Sequence, residues 1–288
     1  MNQITGTTQL TALLGSPVSH SISPLMHNES FRLLGLDYVY LCFDVKENML
    51  QSAVEGLRTC NIRGFNLTMP NKNKIVEFLD ELSPAARLIG AVNTVVVEEN
   101  RMIGFNTDGI GYMMAVKDAG HNIIGKTITL MGAGGAATAI CAQAALDGVK
   151  KIHLFARPTS RFWSRTLRLA DEIKQTLTCE VVLHDNDHTE ELKDAIAESA
   201  MLINATSVGM APNIDGTIIK DPSLFRPELI VSDVIYNPRE TRLLREAREA
   251  GCSVFNGMYM LLYQGAEAFR LWTGADMPVE QIKSLYFS

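Results

Sequence analysis

Short apolar, β-branched runs alternate along this chain with longer stretches whose apolar residues recur at helical spacing. Runs at residues 10–14, 38–43, 62–67 and 92–97 have the length and composition of strands, separated by helical patterns near 25–34 and 46–57. A second series begins at 127–131 and continues through 151–155, 180–183, 201–204 and 230–235, again with helical stretches between the runs. Strands that alternate with helices make parallel sheets covered on both faces. The expected fold class is therefore α/β, with an N-terminal α/β unit followed by a Rossmann-type, doubly wound domain. Two last helical patterns, at 258–272 and 278–286, follow the final strand, and periodicity assigns them to neither unit.

Length supports two domains, since 288 residues is about twice the usual single-domain size. Apolar residues make up 47% and charged residues 20%, the balance of an ordinary globular protein. A formal charge of −6 offers no attraction to a nucleic-acid backbone or an anionic membrane, so neither is an expected partner. The five cysteines (Cys42, Cys60, Cys141, Cys179, Cys252) are scattered and never spaced C-x-x-C. Reduced core thiols are expected, with no disulfide framework and no metal site. The first fifteen residues lack a basic segment leading into an apolar one, and nowhere do about 18 apolar residues run uninterrupted. A cytoplasmic protein is expected, with monomer and homodimer both open.

The most specific local signal is Gly132-Ala133-Gly134-Gly135-Ala136-Ala137, placed after a predicted strand and opening an Ala-rich helix. It fits the dinucleotide fingerprint G-x-G-x-x-G/A in its required context. Gly132 permits the tight turn, Gly134 lets backbone amides approach a pyrophosphate, and Ala137 lets helix and strand pack closely. A cofactor with a free ribose hydroxyl usually meets a carboxylate at the end of the second strand. Here that strand runs into Arg157 and Arg161, and the next carboxylate is Asp171. Guanidinium matches a 2′-phosphate in a bidentate fork, so NADP is favoured, with NAD as the alternative. Two solvated surface arginines are the ordinary reading.

The N-terminal third supplies candidate substrate groups. Ser23 before Pro24 reads as a helix N-cap, and the hydroxyls of Ser21 and Ser23 at a helix's positive end also suit a small carboxylate. Lys72 falls on a loop beyond a strand's carboxyl end, where open α/β sheets bind ligands. Asn93 interrupts an apolar strand, where an amide needs internal partners or a ligand, and Asp108 falls at a probable helix start. Each has an ordinary reading too: Lys72 as a solvated lysine, Asn93 as a satisfied core amide, Asp108 as an N-cap.

Taken together, the chain resembles the shikimate dehydrogenase family. The resemblance rests on H-S-I-S-P at 20–24, N-L-T-M-P-N-K at 66–72, G-A-V-N-T at 90–94, N-T-D-G at 106–109 and G-A-G-G-A at 132–136. N-A-T-S-V-G at 204–209, Y-N-P at 236–238 and G-M-Y-M-L-L-Y-Q at 257–264 complete the series in order along the chain. It implies a substrate domain of residues 1–110 plus terminal helices at about 266–288, a nucleotide domain of residues 111–265, and an active-site cleft between them. It implies Lys72 and Asp108 as the catalytic pair, shikimate's carboxylate at Ser21 and Ser23 with Tyr236, and its ring hydroxyls at Thr68, Asn93 and Gln264. It further implies that Gly132, Ala133, Gly134, Gly135 and Ala136 hold NADP, with Thr206, Ser207, Val234 and Gly257 bordering the nicotinamide. The small-molecule substrate would be shikimate or 3-dehydroshikimate, with quinate as the alternative.

One departure bears on the cofactor. NADP-using members resemble N-R-T-x-x-R after the second strand, whereas this chain reads Ala156-Arg157-Pro158-Thr159-Ser160-Arg161. Both arginines remain, and Thr159 stands near where quinate- and NAD-accepting members place an aspartate. A free lysine, with a pKa of about 10.4, is neutral in only about one molecule in 2,500 at pH 7. Lysine is thus better suited to donating a proton during reduction than to acting as a base. A non-catalytic, NADP-sensing regulator is the competing class, and a proton-transfer pair argues against it.

Overall fold

In the computed structural model, which describes residues 4–287, the first series of apolar runs builds one mixed six-stranded sheet. Strand β1 (Gln9–Gly15) pairs in parallel with β2 (Tyr38–Asp44) on one side and β3 (Gly64–Leu67) on the other. Two-residue β4 (Glu81–Leu82) closes the far edge, beyond antiparallel β5 (Thr94–Glu98) and β6 (Arg101–Phe105), giving the order β2-β1-β3-β5-β6-β4. Helices α1 (Ser23–Leu34), α2 (Leu50–Thr59) and α3 (Pro84–Ile89) connect these strands. The β5–β6 hairpin was not expected from the sequence. Its turn uses Glu99 and Asn100, both at positive φ (48° and 64°), without the Asn-Gly signature that marks such turns.

The second series forms a six-stranded, wholly parallel sheet. Strands β7 (Thr127–Met131), β8 (Lys151–Ala156), β9 (Glu180–Asp185), β10 (Met201–Asn204), β11 (Ile230–Asp233) and β12 (Ser253–Phe255) lie in the order β12-β11-β10-β7-β8-β9. Helices α4 (Thr107–Asp118), α5 (Gly135–Leu146), α6 (Trp163–Thr176), α7 (Thr189–Glu198) and α8 (Arg242–Glu249) accompany it. Strand order reverses between β7 and β10, and ligands of open α/β sheets bind at such a switch point. Strand β12 is too short to leave an apolar run in the sequence.

By contact the chain divides into two units, the first running to Thr107 and resuming at Leu262, the second spanning Asp108–Leu261. Helix α9 (Met258–Thr273) therefore has its first turn in the second unit, and the rest of it, with α10 (Val279–Ile282), in the first. Its anchor there is Trp272. The indole fills the space above side-chain-free Gly64, where a Cβ would lie 2.3 Å from Nε1, and Nε1–H donates to the Val95 carbonyl at 3.0 Å. Packed against the same indole, fully buried His27 stacks on Tyr40 with ring centroids 4.4 Å apart. Neither of its ring nitrogens has a hydrogen-bond partner, and burial pushes its pKa down to about 3.

Cysteine placement corrects one expectation. Cys141, Cys179 and Cys252 are buried, but Cys42 is only half-buried and Cys60, just past the end of α2, is exposed. No helix among the described residues is long and apolar enough to cross a membrane.

Candidate active site

Sheet direction gathers the first unit's polar groups at one edge. β1 and β3 run in parallel and end together, whereas antiparallel β5 begins and β6 ends at that same edge. The segments carrying Ser21, Ser23, Thr68, Lys72 and Asn93 therefore issue side by side. The segments after β1 and β3 are also in contact: Ser16 N–H donates to the Met69 carbonyl at 3.0 Å, and a Cβ on Gly15 would strike Thr68 Cγ2 at 2.2 Å.

The Lys72 loop is held by its backbone and neighbours. Thr68 N–H donates to the Leu14 carbonyl (3.0 Å), Asn71 Nδ2 to the Val45 carbonyl (2.7 Å), and Val92 N–H to the Lys72 carbonyl (2.8 Å). Lys72 is half-buried rather than a freely solvated surface lysine. Asn93 lies one residue before β5 and is buried with its amide satisfied. Its Oδ1 accepts from Thr107 N–H at 2.8 Å, and its Nδ2 donates to Thr107 Oγ1 at 3.0 Å and approaches Gln264 Oε1 at 3.5 Å. Asp108 follows Thr107 as the second residue of α4 and sits inside the first turn, so the N-cap reading is corrected. A carboxylate there benefits from the helix's positive end.

The Ser23 cap is corrected as well. Helix α1 starts at Ser23, Ile22 is its cap residue, and no side chain caps it in the usual sense. Instead, Ser21 Oγ accepts from Ser23 N–H at 3.2 Å, satisfying one of the first-turn amides. Burial drives the pKa of the Tyr40 phenol well up, with Cys42 adding to the rise and Ser23 opposing it. Tyr40 Oη donates to Asn66 Oδ1 at 2.8 Å, and Asn66 Nδ2 donates to the Asn93 carbonyl at 3.1 Å. Tyr40 and Asn66 were passed over in the sequence. Asn66 in the otherwise apolar Gly-Phe-Asn-Leu strand is the same signal that singled out Asn93.

In the second unit the glycine loop follows β7. Gly132 has φ 123°, and a Cβ there would lie 2.7 Å from the Ala205 carbonyl oxygen, so glycine is required by the chain itself. Gly134 and Gly135 are different. A Cβ on either would meet open space, and Gly134 caps α5 with no side-chain bond to its first amides. Space and unclaimed amides at a helix N-terminus are what a pyrophosphate needs, so Gly132, Ala133, Gly134, Gly135 and Ala136 fit a dinucleotide. Ala137 is fully buried at the close helix–strand contact. Beyond β8, Ser160 N–H closes a turn on the Arg157 carbonyl at 2.9 Å, so Pro158 leaves a compact turn, and the Arg161 guanidinium lies over the Phe162 ring at 4.7 Å. Both arginines are exposed.

Loops after β10, β11 and β12 carry the remaining candidates of this unit. Asn204 Oδ1 accepts from Thr206 N–H (3.0 Å) and Thr206 Oγ1 (2.7 Å), and Ser207 follows. Val234 and Gly257 are in direct contact, since a Cβ on Gly257 would lie 1.9 Å from the Val234 carbonyl oxygen. Tyr236 is 49% exposed. Among the described residues no cluster of His, Cys, Asp or Glu has the arrangement of a metal site.

Known proteins resemble this chain over nearly its whole length. A family model described as the shikimate dehydrogenase substrate binding domain matches residues 13–95, and one described as the shikimate 5′-dehydrogenase C-terminal domain matches residues 257–285. A relative from Listeria innocua serovar 6a, named shikimate dehydrogenase (NADP(+)), is 52% identical over 285 residues, covering 99% of this chain and 98% of its own length. The crystal structure of shikimate 5-dehydrogenase from Listeria monocytogenes in complex with shikimate and NAD is 51% identical, with a TM-score of 0.96 over 99% of this chain and 98% of that one. The Thermus thermophilus enzyme in complex with NADP(H) and shikimate is 35% identical, with a TM-score of 0.80 over 96% and 97% of the two chains. Half of all positions shared across nearly the whole length leaves one conclusion: the chain belongs to the shikimate dehydrogenase family.

Proposed function

We propose that this chain catalyses the reversible, NADP-dependent reduction of 3-dehydroshikimate to shikimate, in the cytoplasm. The observation that carries the reading is the single sheet edge bearing Ser21, Ser23, Thr68, Lys72 and Asn93, in a chain 52% identical to a shikimate dehydrogenase (NADP(+)). Hydroxyls, amides and one ammonium make a donor-rich surface suited to a small carboxylated polyol. In this reading residues 1–110, with the helices at about 266–288, handle substrate, and residues 111–265 handle the nucleotide.

Ser21 and Ser23 bind the carboxylate at the start of α1, helped by Tyr236, while Thr68, Asn93 and Gln264 orient the ring hydroxyls. When bound, NADPH supplies a hydride from C4 of its nicotinamide. Lys72 donates a proton to the oxygen of the keto group as reduction proceeds and stabilises negative charge developing there; Asp108 is its partner at that oxygen. In the oxidative direction the same amine takes the proton back. Thr206, Ser207, Val234 and Gly257 form the wall against which the nicotinamide is aligned.

Initial rates for shikimate and quinate, each with NADP and with NAD, test the assignment. The shikimate and NADP pair should give the highest kcat/KM. A higher value for quinate with NAD would overturn the substrate and cofactor together, and no turnover with any pair would leave a nucleotide sensor.

Cofactor choice has its own test. Arg157 and Arg161 flank a turn at the end of β8, and the next carboxylate along the chain is Asp171. Replacing both with Ala should raise KM for NADP about 10–100-fold, the worth of charge-assisted phosphate contacts, while leaving KM for NAD nearly unchanged. Equal losses with the two cofactors would mean that neither arginine reads the 2′-phosphate.

A further inference from the structure

At the carboxyl ends of β10 and β11, directly paired across the ladder, stand two fully buried polar side chains, Asn204 and Asp233. Three donors converge on the Asp233 carboxylate. Ile235 N–H donates to Oδ1 at 2.9 Å, and Asn204 Nδ2 (3.1 Å) and Thr241 Oγ1 (2.9 Å) donate to Oδ2. The Asn204 amide has one orientation, because its Oδ1 already accepts both Thr206 bonds. Thr241 Oγ1 caps α8 by accepting from Leu244 N–H at 3.4 Å, which leaves its own proton for Asp233. Three hydrogen bonds donated to one carboxyl group favour its ionised form.

From this one carboxylate, bonds run outward to both loops. Through Asn204 they reach Thr206 and the Val208 carbonyl (3.2 Å); through Ile235 they reach the segment between Val234 and Tyr236. Val234 N–H also donates to the Asn204 carbonyl at 2.9 Å. Burial pushes the Asp233 carboxyl up, and the three donors pull against it. A buried charge has a desolvation cost that an apolar residue at the same strand end would avoid, so its presence calls for a role that bulk cannot fill.

We infer that ionised Asp233 is a positioning residue: its charge, acting through Asn204 and Ile235, sets the two loops that align the nicotinamide. This rests on the proposed roles of Thr206 and Val234. Asp233→Asn preserves shape but turns one oxygen into an NH2 group, which must face either Ile235 N–H or the Asn204 and Thr241 donors.

The test compares two ligands bound to the full-length protein, NADP and 2′,5′-ADP, which has the adenosine and its phosphates but no nicotinamide. Asp233→Asn should raise the Kd for NADP about tenfold and lower kcat, with the Kd for 2′,5′-ADP and the KM for shikimate within about twofold of wild type. Thr241→Val, which removes one donor and keeps the carboxylate, should give the same selective pattern at about threefold, and Thr241→Ser, which keeps the hydroxyl, should restore wild-type values. Should Asp233→Asn fail to fold, the Thr241 pair decides the matter alone. Equal weakening of both ligands, or an unchanged Kd for NADP in a folded variant, overturns the inference. Because the binding arm needs no substrate, absence of shikimate turnover by the wild-type protein would count against the proposed reaction and leave this result separately readable.

Discussion

Substituting methionine for Lys72 is expected to lower kcat for shikimate and NADP by about 10²–10⁴, with a much smaller rise in KM for shikimate. Methionine keeps the length and apolar character of the lysine stem but carries neither charge nor proton. Three interactions hold the surrounding loop: Thr68 to Leu14, Asn71 to Val45, and Val92 to the Lys72 carbonyl. None of them uses the lysine side chain. These bonds persist in the variant, and a thermal melt run beside the kinetics separates lost chemistry from lost structure. A protein retaining more than half of its kcat would remove Lys72 from the proton path.

The second large effect concerns stability. His27 is neutral in the folded chain because burial depresses its pKa from 6.5 to about 3, and no charged side chain contributes to the shift. The rings around it are Tyr40, Phe31, Phe269 and Trp272. Unfolded, the same imidazole takes a proton near pH 6.5, so stability is fully present above that pH and is lost progressively as pH falls toward the folded value. The whole window is worth roughly 3–5 kcal/mol, of which about 2 kcal/mol falls between pH 6.5 and pH 5. In urea titrations at pH 7.5 and pH 5, wild type should lose about that much more than His27→Leu. Parallel losses in the two proteins would show that the ring titrates alike in both states.

Strands that are buried on both faces were the most legible elements. β10 spans residues 201–204 as the sequence predicts, because Met-Leu-Ile-Asn is an apolar run bounded by turn residues. Helix α3 was equally visible yet unread: Ser83 caps it, Pro84 opens it, and Gly90 ends it at φ 64°. The β5–β6 hairpin was not visible, since nothing in Glu99-Asn100 announces two positive φ angles. At the sites, Gly132 was legible because a left-handed turn leaves a glycine behind. Asp233 was not. The apolar run at 230–235 places it inside a strand, but its pairing with Asn204 across the ladder exists only in the folded sheet. Tyr40 and Asn66 illustrate the same limit, because their bond joins residues from two strands that meet only in the folded sheet.

The indole above Gly64 has a consequence for synthesis. Trp272 is made only after the whole of the second unit, so the first unit leaves the ribosome with the gap over β3 open and its aromatic cluster lacking Phe269 and Trp272. At about 5–20 residues per second, that delay lasts roughly ten to thirty seconds. The part of the chain translated first is thus the part completed last, and an early stop before position 272 would release a product whose leading third has a permanently unfinished interior.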